Sequence, residues 1–150
     1  MDVVEIQPAE THPLRRSVLR DGTASDEVEF DGDDLSATFH LGVRDGGELV
    51  AISTWIERRF PDLPALVGYQ VRGMATDPAR RGEGLGARLL VAGIERCVSA
   101  GAGVVWARAR LTALAFYERH GFEPRGLDYT DLTTGLPHCD IVRVLHTGAV

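Results

Sequence analysis

The chain has 150 residues, of which 44% are hydrophobic and 25% charged, and this balance predicts one globular domain rather than a disordered chain. All 16 basic residues are arginine, which excludes a Schiff-base lysine and the lysine of a Walker A motif. A formal net charge of −6 disfavours a nucleic-acid partner, because nucleic-acid-binding domains normally present a basic surface.

The sequence shows no targeting, membrane or metal-binding pattern. Its longest apolar run, Leu89–Ile94, is far shorter than the ~20 residues of a membrane span. The start, Met1–Glu5, lacks the basic and apolar stretches of a signal peptide. Cys97 and Cys139 have no CxxC spacing and the histidines form no HxH or HExxH pair, so neither a disulfide framework nor a metal site is expected. We therefore expect a cytoplasmic protein with Cys97 packed in its core.

Hydrophobic periodicity predicts, in chain order, a strand, a helix, three strands, a helix, a strand, a helix and two strands. Thr11 is the expected N-cap of the first helix, with Pro13 in its first turn. This order predicts an α/β fold with a mixed sheet. The expected bounds are Val3–Ile6, Thr11–Arg20, Ala37–Arg44, Leu49–Ile56, Tyr69–Thr76, Glu83–Ala100, Gly103–Ala107, Thr112–His120, Phe122–Tyr129 and Asp140–Leu145.

An acidic segment, Asp26–Asp34, follows the first predicted helix. One interpretation is a solvated loop, since runs of like charge are usually exposed. The other is a rim that attracts an ammonium group, which would favour a small cationic substrate.

A glycine-rich segment, Arg81–Ala87, lies between a predicted strand and the longest predicted helix. Glycines at a helix N-terminus let backbone N–H groups approach a phosphate, and the helix dipole adds positive potential there. Arg81 supplies further donors for phosphate oxygens. A purely structural turn is disfavoured, because each of the three glycines would cost about 1 kcal/mol inside a helix. The segment therefore predicts a pyrophosphate site, and we expect Gly86 to let the helix pack close to the sheet.

The same segment also matches the dinucleotide fingerprint G-x-G-x-x-A. A Rossmann fold, however, places this turn directly after a strand and is built from parallel βαβ units. Here Asp77–Arg80 intervene and the preceding strands are expected to pair as hairpins. The position where an acid would bind a ribose holds Arg108 or Arg110, which leaves an NADP-linked oxidoreductase as an alternative.

Two sequence blocks together resemble one known family. Arg81–Gly86 fits the [R/Q]-x-x-G-x-[G/A] motif of the GNAT superfamily of N-acetyltransferases, and Ala113–Phe122 is similar to that family's A-x-x-[F/L]-Y-x-x-x-G-F segment. The preceding Val71–Pro78 looks like the family's fourth strand and its exit. The likeness covers about Ala37–Leu145. In one departure, Arg110 stands three residues before the motif alanine, where many members carry Asn.

The resemblance implies a GNAT-like acyl-CoA-binding fold, with a central, mostly antiparallel sheet flanked by helices. Its fourth and fifth strands would splay apart to admit the pantetheine arm of acetyl-CoA. The backbone of the fourth strand would pair with that arm as an added strand does, and the glycine-rich segment would hold the pyrophosphate. The implied cofactor-binding residues are Met74, Ala75, Thr76, Arg81, Gly82, Glu83, Gly84, Leu85, Gly86 and Ala87.

The resemblance also implies a catalytic residue, because Tyr117 occupies the position of the family's general acid. It would protonate the departing thiolate, whereas a tyrosine packed on the inner face of the helix is the structural alternative. The base is left open among Glu29, His40, His138 and solvent water, with His40 expected on the polar face of a strand.

The whole chain, residues 1–150, is thus interpreted as a single acetyltransferase domain. It would transfer the acetyl group of acetyl-CoA to a primary amine of a small-molecule or peptide acceptor. A non-catalytic acyl-CoA sensor is the alternative that keeps the glycine-rich segment but needs no acid at Tyr117. We expect no nucleic-acid partner, membrane or metal, and a homodimer is left open.

Overall fold

The computed structural model describes residues 1–23 and 25–145, which form one seven-stranded mixed sheet and three α-helices. The strands are β1 (Val3–Ile6), β2 (Phe39–Asp45), β3 (Glu48–Glu57), β4 (Gly68–Thr76), β5 (Val104–Arg110), β6 (Glu123–Thr130) and β7 (Pro137–Val144), and the helices are α1 (His12–Leu14), α2 (Leu85–Ser99) and α3 (Leu114–Glu118). The strand order is β1-β2-β3-β4-β5-β7-β6. The predicted α/β class and element order are confirmed.

Parallel pairing is confined to β4 and β5 among the described strands, and every other neighbouring pair is antiparallel. A Rossmann fold requires a series of parallel strands, so this sheet does not support the dinucleotide interpretation of the glycine-rich segment. No helix in residues 1–23 and 25–145 has the length and apolar character needed to cross a bilayer.

The first helical segment differs from its prediction. It consists of a 3-10 turn at Pro8–Thr11, then α1, then a π-helical turn at Arg15–Leu19. Its N-cap is Gln7, in a capping box with Glu10, whereas the Thr11 hydroxyl donates to the Pro8 carbonyl at 2.6 Å. Thr11 occupies the N-cap position of α1 with Pro13 in its first turn, as expected. Its side chain makes no capping hydrogen bond, however, because the chain is already helical three residues earlier.

Helices cover both faces of the sheet. On one face, α2 and α3 bury a large apolar cluster that includes Trp55, Leu89 and Cys97. On the other face, the N-terminal helical segment packs over Ile52 and Ala75. Residues 39–43 of β2 are therefore buried on both sides, although their alternating pattern predicted a half-buried strand.

Cys97 packs in this core as expected, and burial raises the pKa of its thiol to about 12. The thiol stays protonated at neutral pH and does not form a nucleophilic thiolate.

The close approach of α2 to the sheet depends on Gly93. A Cβ at this position would lie 1.9 Å from Cζ2 of Trp55, whereas a Cβ at Gly86 would lie 3.5 Å from the Phe116 ring, an ordinary contact. The expectation that Gly86 permits the close packing was therefore wrong; Gly93, about two turns further along the same helix face, does so.

We expect Gly93→Ala to lower the free energy of unfolding by about 1–3 kcal/mol or more, because the added methyl group must displace a fully buried indole. Gly86→Ala is the matched control in the same helix and should leave stability unchanged or raise it by up to about 1 kcal/mol. Urea unfolding of both variants measures the difference. Equal effects would contradict the assignment of the tight contact to Gly93.

The fourth and fifth strands splay apart as the resemblance implied. β4 and β5 pair only at Gly68–Gln70 and Val104–Trp106, although both strands continue further. A β-bulge interrupts β4 at Gly73, whose φ of +59° suits glycine. Backbone groups of Val71–Thr76 on the side facing β5 therefore have no strand partner in the part of the chain that the structure describes.

Candidate active site

The glycine-rich segment forms an uncapped helix N-terminus. Gly84 is the N-cap of α2, no side chain caps the helix, and its first turn carries no acidic residue. The N–H groups of Leu85, Gly86 and Ala87 are consequently free to bind an acceptor, and the helix dipole makes this end positive. These are the features of an anion-binding helix terminus.

Two glycines of this segment are explained by backbone conformation. Gly82 and Gly84 precede the helix with φ of +86° and +76°, and no other group lies within 4 Å of a Cβ built at either position. Only Gly86 falls inside the helix, so the sequence argument from helix propensity applies to Gly86 alone. The exposed surface at this turn is open enough for a bulky phosphate.

The charged residues of the turn divide into a paired set and a free one. Arg80 binds Glu83 at 2.8 Å and Asp45 at 2.7 Å. The hydrogen bond from Arg80 lowers the pKa of Glu83, and the carboxylate is locally neutralised. Arg81 is exposed and has no hydrogen-bond or ion-pair partner within residues 1–23 and 25–145. The turn therefore offers an unpaired guanidinium beside a helix N-terminus.

A cavity of about 360 Å³ lies beyond the free edge of β4. It opens between the splayed strands and is covered by the N-terminal helical segment, the acidic segment and the β6–β7 connection. Its walls include Gly73 and Met74 of β4, Ala109 and Arg110 of β5, and Tyr117 of α3.

Tyr117 combines a packed ring with an accessible hydroxyl. The ring makes edge contacts with Phe116 and Phe122, with centroids 5.3 and 5.2 Å away. The side chain lines the cavity, and its hydroxyl has no hydrogen-bond partner among the described residues. Among those residues, Arg15 Nε is the one side-chain nitrogen or oxygen that is both fully buried and without a hydrogen-bond partner. The unpartnered hydroxyl of Tyr117 is therefore not fully buried. Burial of the residue raises its pKa above the ordinary value of 10, so the hydroxyl keeps its proton at neutral pH.

The three candidate bases occupy different environments. Glu29 is exposed at the mouth of the cavity. His40 is buried, with Nδ1 2.8 Å from the Thr54 hydroxyl and Nε2 3.1 Å from the Asp33 carbonyl. The expectation of a surface histidine was wrong, because the segment around Asp33 folds over that face of β2. With both ring nitrogens engaged away from the cavity, His40 has a structural role.

His138 lines the cavity near the start of β7. Its Nδ1 lies 3.0 Å from the Leu136 carbonyl oxygen. A carbonyl accepts but cannot donate, so Nδ1 carries the proton and Nε2 of the neutral ring is a free acceptor. Nε2 has no partner within residues 1–23 and 25–145.

The acidic segment is part solvated rim and part buried structure. Glu27, Glu29 and Asp31 are exposed and line the cavity mouth. Asp33 instead is buried and accepts from Arg15 through both carboxylate oxygens, at 2.6 and 3.0 Å. Its neighbour Phe30 lies beneath the Arg15 guanidinium, 3.7 Å from the ring centroid. Neither sequence interpretation separated Asp33 from its exposed neighbours.

Arg110 does not lie at the helix N-terminus that the glycine-rich segment forms. It lines the cavity and donates to the Leu19 carbonyl at 2.5 Å. Arg72, which the sequence interpretation did not assign to a site, lines the same cavity. So does Arg108, which the sequence interpretation considered only for the NADP alternative. Strand alternation places these arginines on one sheet face. The sequence did not predict this for Arg108 and Arg110, because the end of β5 was predicted three residues too early, at Ala107 rather than Arg110.

Comparison with known proteins gives a consistent result. The sequence model described as "Acetyltransferase (GNAT) family" matches residues 6–122. The chain is 27% identical over 126 residues to an uncharacterized N-acetyltransferase, YitI, of Bacillus subtilis, covering 84% of this chain and 85% of that protein.

Two solved structures show the same fold. Escherichia coli ElaA has a TM-score of 0.78 at 19% identity, covering 95% of this chain and 99% of that one. An acyl-CoA N-acyltransferase from Pseudomonas aeruginosa has a TM-score of 0.75 at 21% identity, with the same coverage of 95% and 99%.

Proposed function

This chain belongs to the acetyltransferase (GNAT) family, whose members use acetyl-CoA, and from that premise we propose that it acetylates a primary amine held in the cavity between β4 and β5. The observation that carries the proposal is that three features lie close together. The edge of β4 that faces β5 and the side chain of Tyr117 line the cavity. The uncapped N-terminus of α2 adjoins them, because Gly86 in its first turn lies next to Met74 and Phe116.

The residues on the α2 side fit a coenzyme A group. A pyrophosphate could accept from the free N–H groups of Leu85–Ala87 and from Arg81, which has no partner among the described residues. The open space at Gly82 and Gly84 leaves room for it. The edge of Met74–Thr76 that faces β5 has no strand partner among the described residues and suits the amide-containing pantetheine arm. When bound, acetyl-CoA supplies an acetyl group activated as a thioester.

We expect Arg81→Gln to weaken acetyl-CoA binding by about 10- to 100-fold, because a charge-assisted hydrogen bond to a phosphate is lost. Calorimetry with acetyl-CoA measures the affinity. Arg16→Gln is the control, since Arg16 is also exposed, has no hydrogen bond in the described residues and does not line the cavity. Equal affinities in the two variants would remove Arg81 from the site.

Proton transfer requires one donor and one acceptor on the two sides of the reacting bond. Tyr117 is the proposed general acid, since its protonated hydroxyl can donate to the departing thiolate. His138 is the proposed acceptor of the amine proton through Nε2, which the bond at Nδ1 leaves unprotonated. An N–H group at the bulge near Met74 is suited to stabilise negative charge that develops on the carbonyl oxygen.

His138→Gln should lower kcat/KM by about 10²-fold near neutral pH, because the amine then reaches its reactive, neutral form only through solvent. The defect should shrink as pH rises toward the pKa of the free amine. His120→Gln serves as the control, since His120 packs on Phe116 and does not line the cavity. A defect of equal size at every pH would indicate a structural role for His138.

The decisive experiment is a panel of amines tested with acetyl-CoA in a thiol-release assay. Amine-dependent release of coenzyme A, with the acetylated product identified by mass spectrometry, is the expected result. Tight acetyl-CoA binding without release for any amine would instead favour an acyl-CoA sensor.

A further inference from the structure

The acceptor side of the cavity is lined by arginines. Because side chains alternate along a strand, Gln70 and Arg72 of β4 lie on the face opposite α2, whereas Val71 joins the core beneath that helix. The same alternation puts Arg108 and Arg110 of β5 on that face, and all three arginines line the cavity.

Two of these arginines have no acceptor for their N–H groups. Within residues 1–23 and 25–145, neither Arg72 nor Arg108 makes a side-chain hydrogen bond or an ion pair. Arg110, in contrast, donates to a carbonyl. Arg72 is half-buried and stacks over Phe30, with its guanidinium carbon 4.6 Å from the ring centroid. None of its nitrogens is both fully buried and without a partner among the described residues, so they remain open to the cavity and can donate to a ligand there.

The electrostatic surroundings of Arg72 also favour an anionic ligand. Burial lowers its pKa, and the nearby positive charges of Arg58, Arg15 and Arg108 lower it further. Asp33 offsets part of this repulsion, but its carboxylate is already bound to Arg15. The wall therefore carries a local excess of positive charge in a chain whose net charge is −6.

The carboxylates near this wall are engaged by other groups or lie at the cavity mouth. Asp140 lies opposite Arg108 in the β5–β7 register but accepts the Tyr129 hydroxyl at 2.7 Å. Asp131 accepts backbone N–H groups of Thr133 and Thr134 at 2.9 and 3.0 Å. The exposed acids of the segment Glu27–Asp31 lie at the mouth, where water solvates them.

We propose that Arg72 and Arg108 bind an oxyanion, a carboxylate or phosphate, carried by the acceptor close to its reacting amine. The inference rests on the proposed acetyltransferase function and assigns its substrate class: amino-acid-like zwitterions rather than simple amines. A guanidinium matches a carboxylate or phosphate through paired N–H···O bonds. The acidic mouth attracts the ammonium group, and the arginine wall holds the anionic end. Each end of the zwitterion therefore meets side chains of opposite charge.

Substrate triplets that differ only in the anionic group test this. Each consists of an amino acid, its carboxamide and the amine without the carboxyl carbon: leucine, leucinamide and isoamylamine; phenylalanine, phenylalaninamide and phenethylamine; arginine, argininamide and agmatine. Phosphoethanolamine and ethanolamine form the phosphate arm. In at least one series, kcat/KM should favour the oxyanion by about 10²-fold. Preferences below about threefold in every series would overturn the inference and leave the acetyltransferase function standing.

Variants separate an anion site from a structural one. Arg72→Gln and Arg108→Gln should each reduce the preference for the oxyanion about tenfold or more, while kcat/KM for the matching amide changes little. Arg16→Gln should leave the preference unchanged. Arg108 is exposed, so its variant should fold even if Arg72→Gln does not. Loss of acetyl-CoA affinity with an unchanged preference would assign the arginines to the cofactor and overturn the proposal.

A binding measurement keeps the test independent of turnover. Calorimetry is done with saturating coenzyme A and compares each acetylated product with its carboxamide, for N-acetylleucine, N-acetylphenylalanine and N-acetylarginine. At least one of these carboxylates should bind wild type at least about tenfold more tightly than its carboxamide. The phosphate pair is O-phospho-N-acetylethanolamine and N-acetylethanolamine. Arg108→Gln should abolish that difference. If no amine turns over but the difference is present, the proposed function fails and the anion site stands. No difference in any pair contradicts the anion site.

Discussion

Replacing Tyr117 by phenylalanine should slow the chemical step of acetyl transfer by about 10²–10⁴-fold, the usual contribution of a general acid. The phenylalanine ring keeps the edge contacts with Phe116 and Phe122, and the lost hydroxyl makes no hydrogen bond within residues 1–23 and 25–145. Folding and acetyl-CoA affinity should consequently remain close to wild type.

Single-turnover kinetics measure this effect, because slow product release could hide it in the steady state. Burial raises the pKa of Tyr117 above its ordinary value of 10, so loss of this proton should not lower the wild-type rate between about pH 8 and pH 9.5. A chemical step within about threefold of wild type in Tyr117→Phe would assign the residue a packing role and make water the proton donor.

Replacing Asp33 by asparagine should destabilise the fold by about 3–5 kcal/mol, the usual cost of removing one partner of a buried ion pair. Arg15 is fully buried, and its guanidinium would lose its charged partner. Asp34→Asn is the matched control, because Asp34 is the exposed neighbour in the same segment. Urea unfolding at neutral pH measures both variants.

The difference between wild type and Asp33→Asn should depend on pH. Burial opposes ionisation of Asp33, but hydrogen bonds from Arg15 and the Phe30 amide outweigh it, so the pKa is lowered in the folded state. A lowered folded pKa contributes stability above the unfolded value of about 3.9, and this contribution is lost as pH falls through the folded pKa. The difference should therefore be constant from about pH 5 to pH 8 and shrink below about pH 4. A constant difference down to pH 2 would contradict the role of the charged carboxylate.

This ion pair also supports the cavity. Arg15 binds Asp33, Thr54 and the Val28 carbonyl, and it stacks on Phe30. It thereby fastens the N-terminal helical segment and the acidic segment to β3, and Phe30 in turn lies under Arg72. A weaker pair should loosen the wall that the acceptor contacts.

The amino-acid sequence by itself determined the order of strands and helices, the glycine-rich turn before α2 and the core position of Cys97. These features depend on local physics: alternation along a strand, helical periodicity, and glycines that adopt positive φ at Gly82 and Gly84. The positions of Arg81 and Tyr117 on those elements followed from motif spacing, and their proposed roles await the experiments above.

Only the tertiary structure decided the acceptor side of the cavity and the packing of α2. Arg15 meets Asp33 and Thr54 across 18 and 39 residues of sequence, and Gly93 of α2 meets Trp55 of β3 although β4 lies between them in sequence. His40 became buried because the segment around Asp33 folds over its strand. Arg72 and Arg108 face one cavity because β4 and β5 diverge after Gln70. Such contacts depend on which segments pack together over long sequence separations, and no local pattern in the chain records that choice.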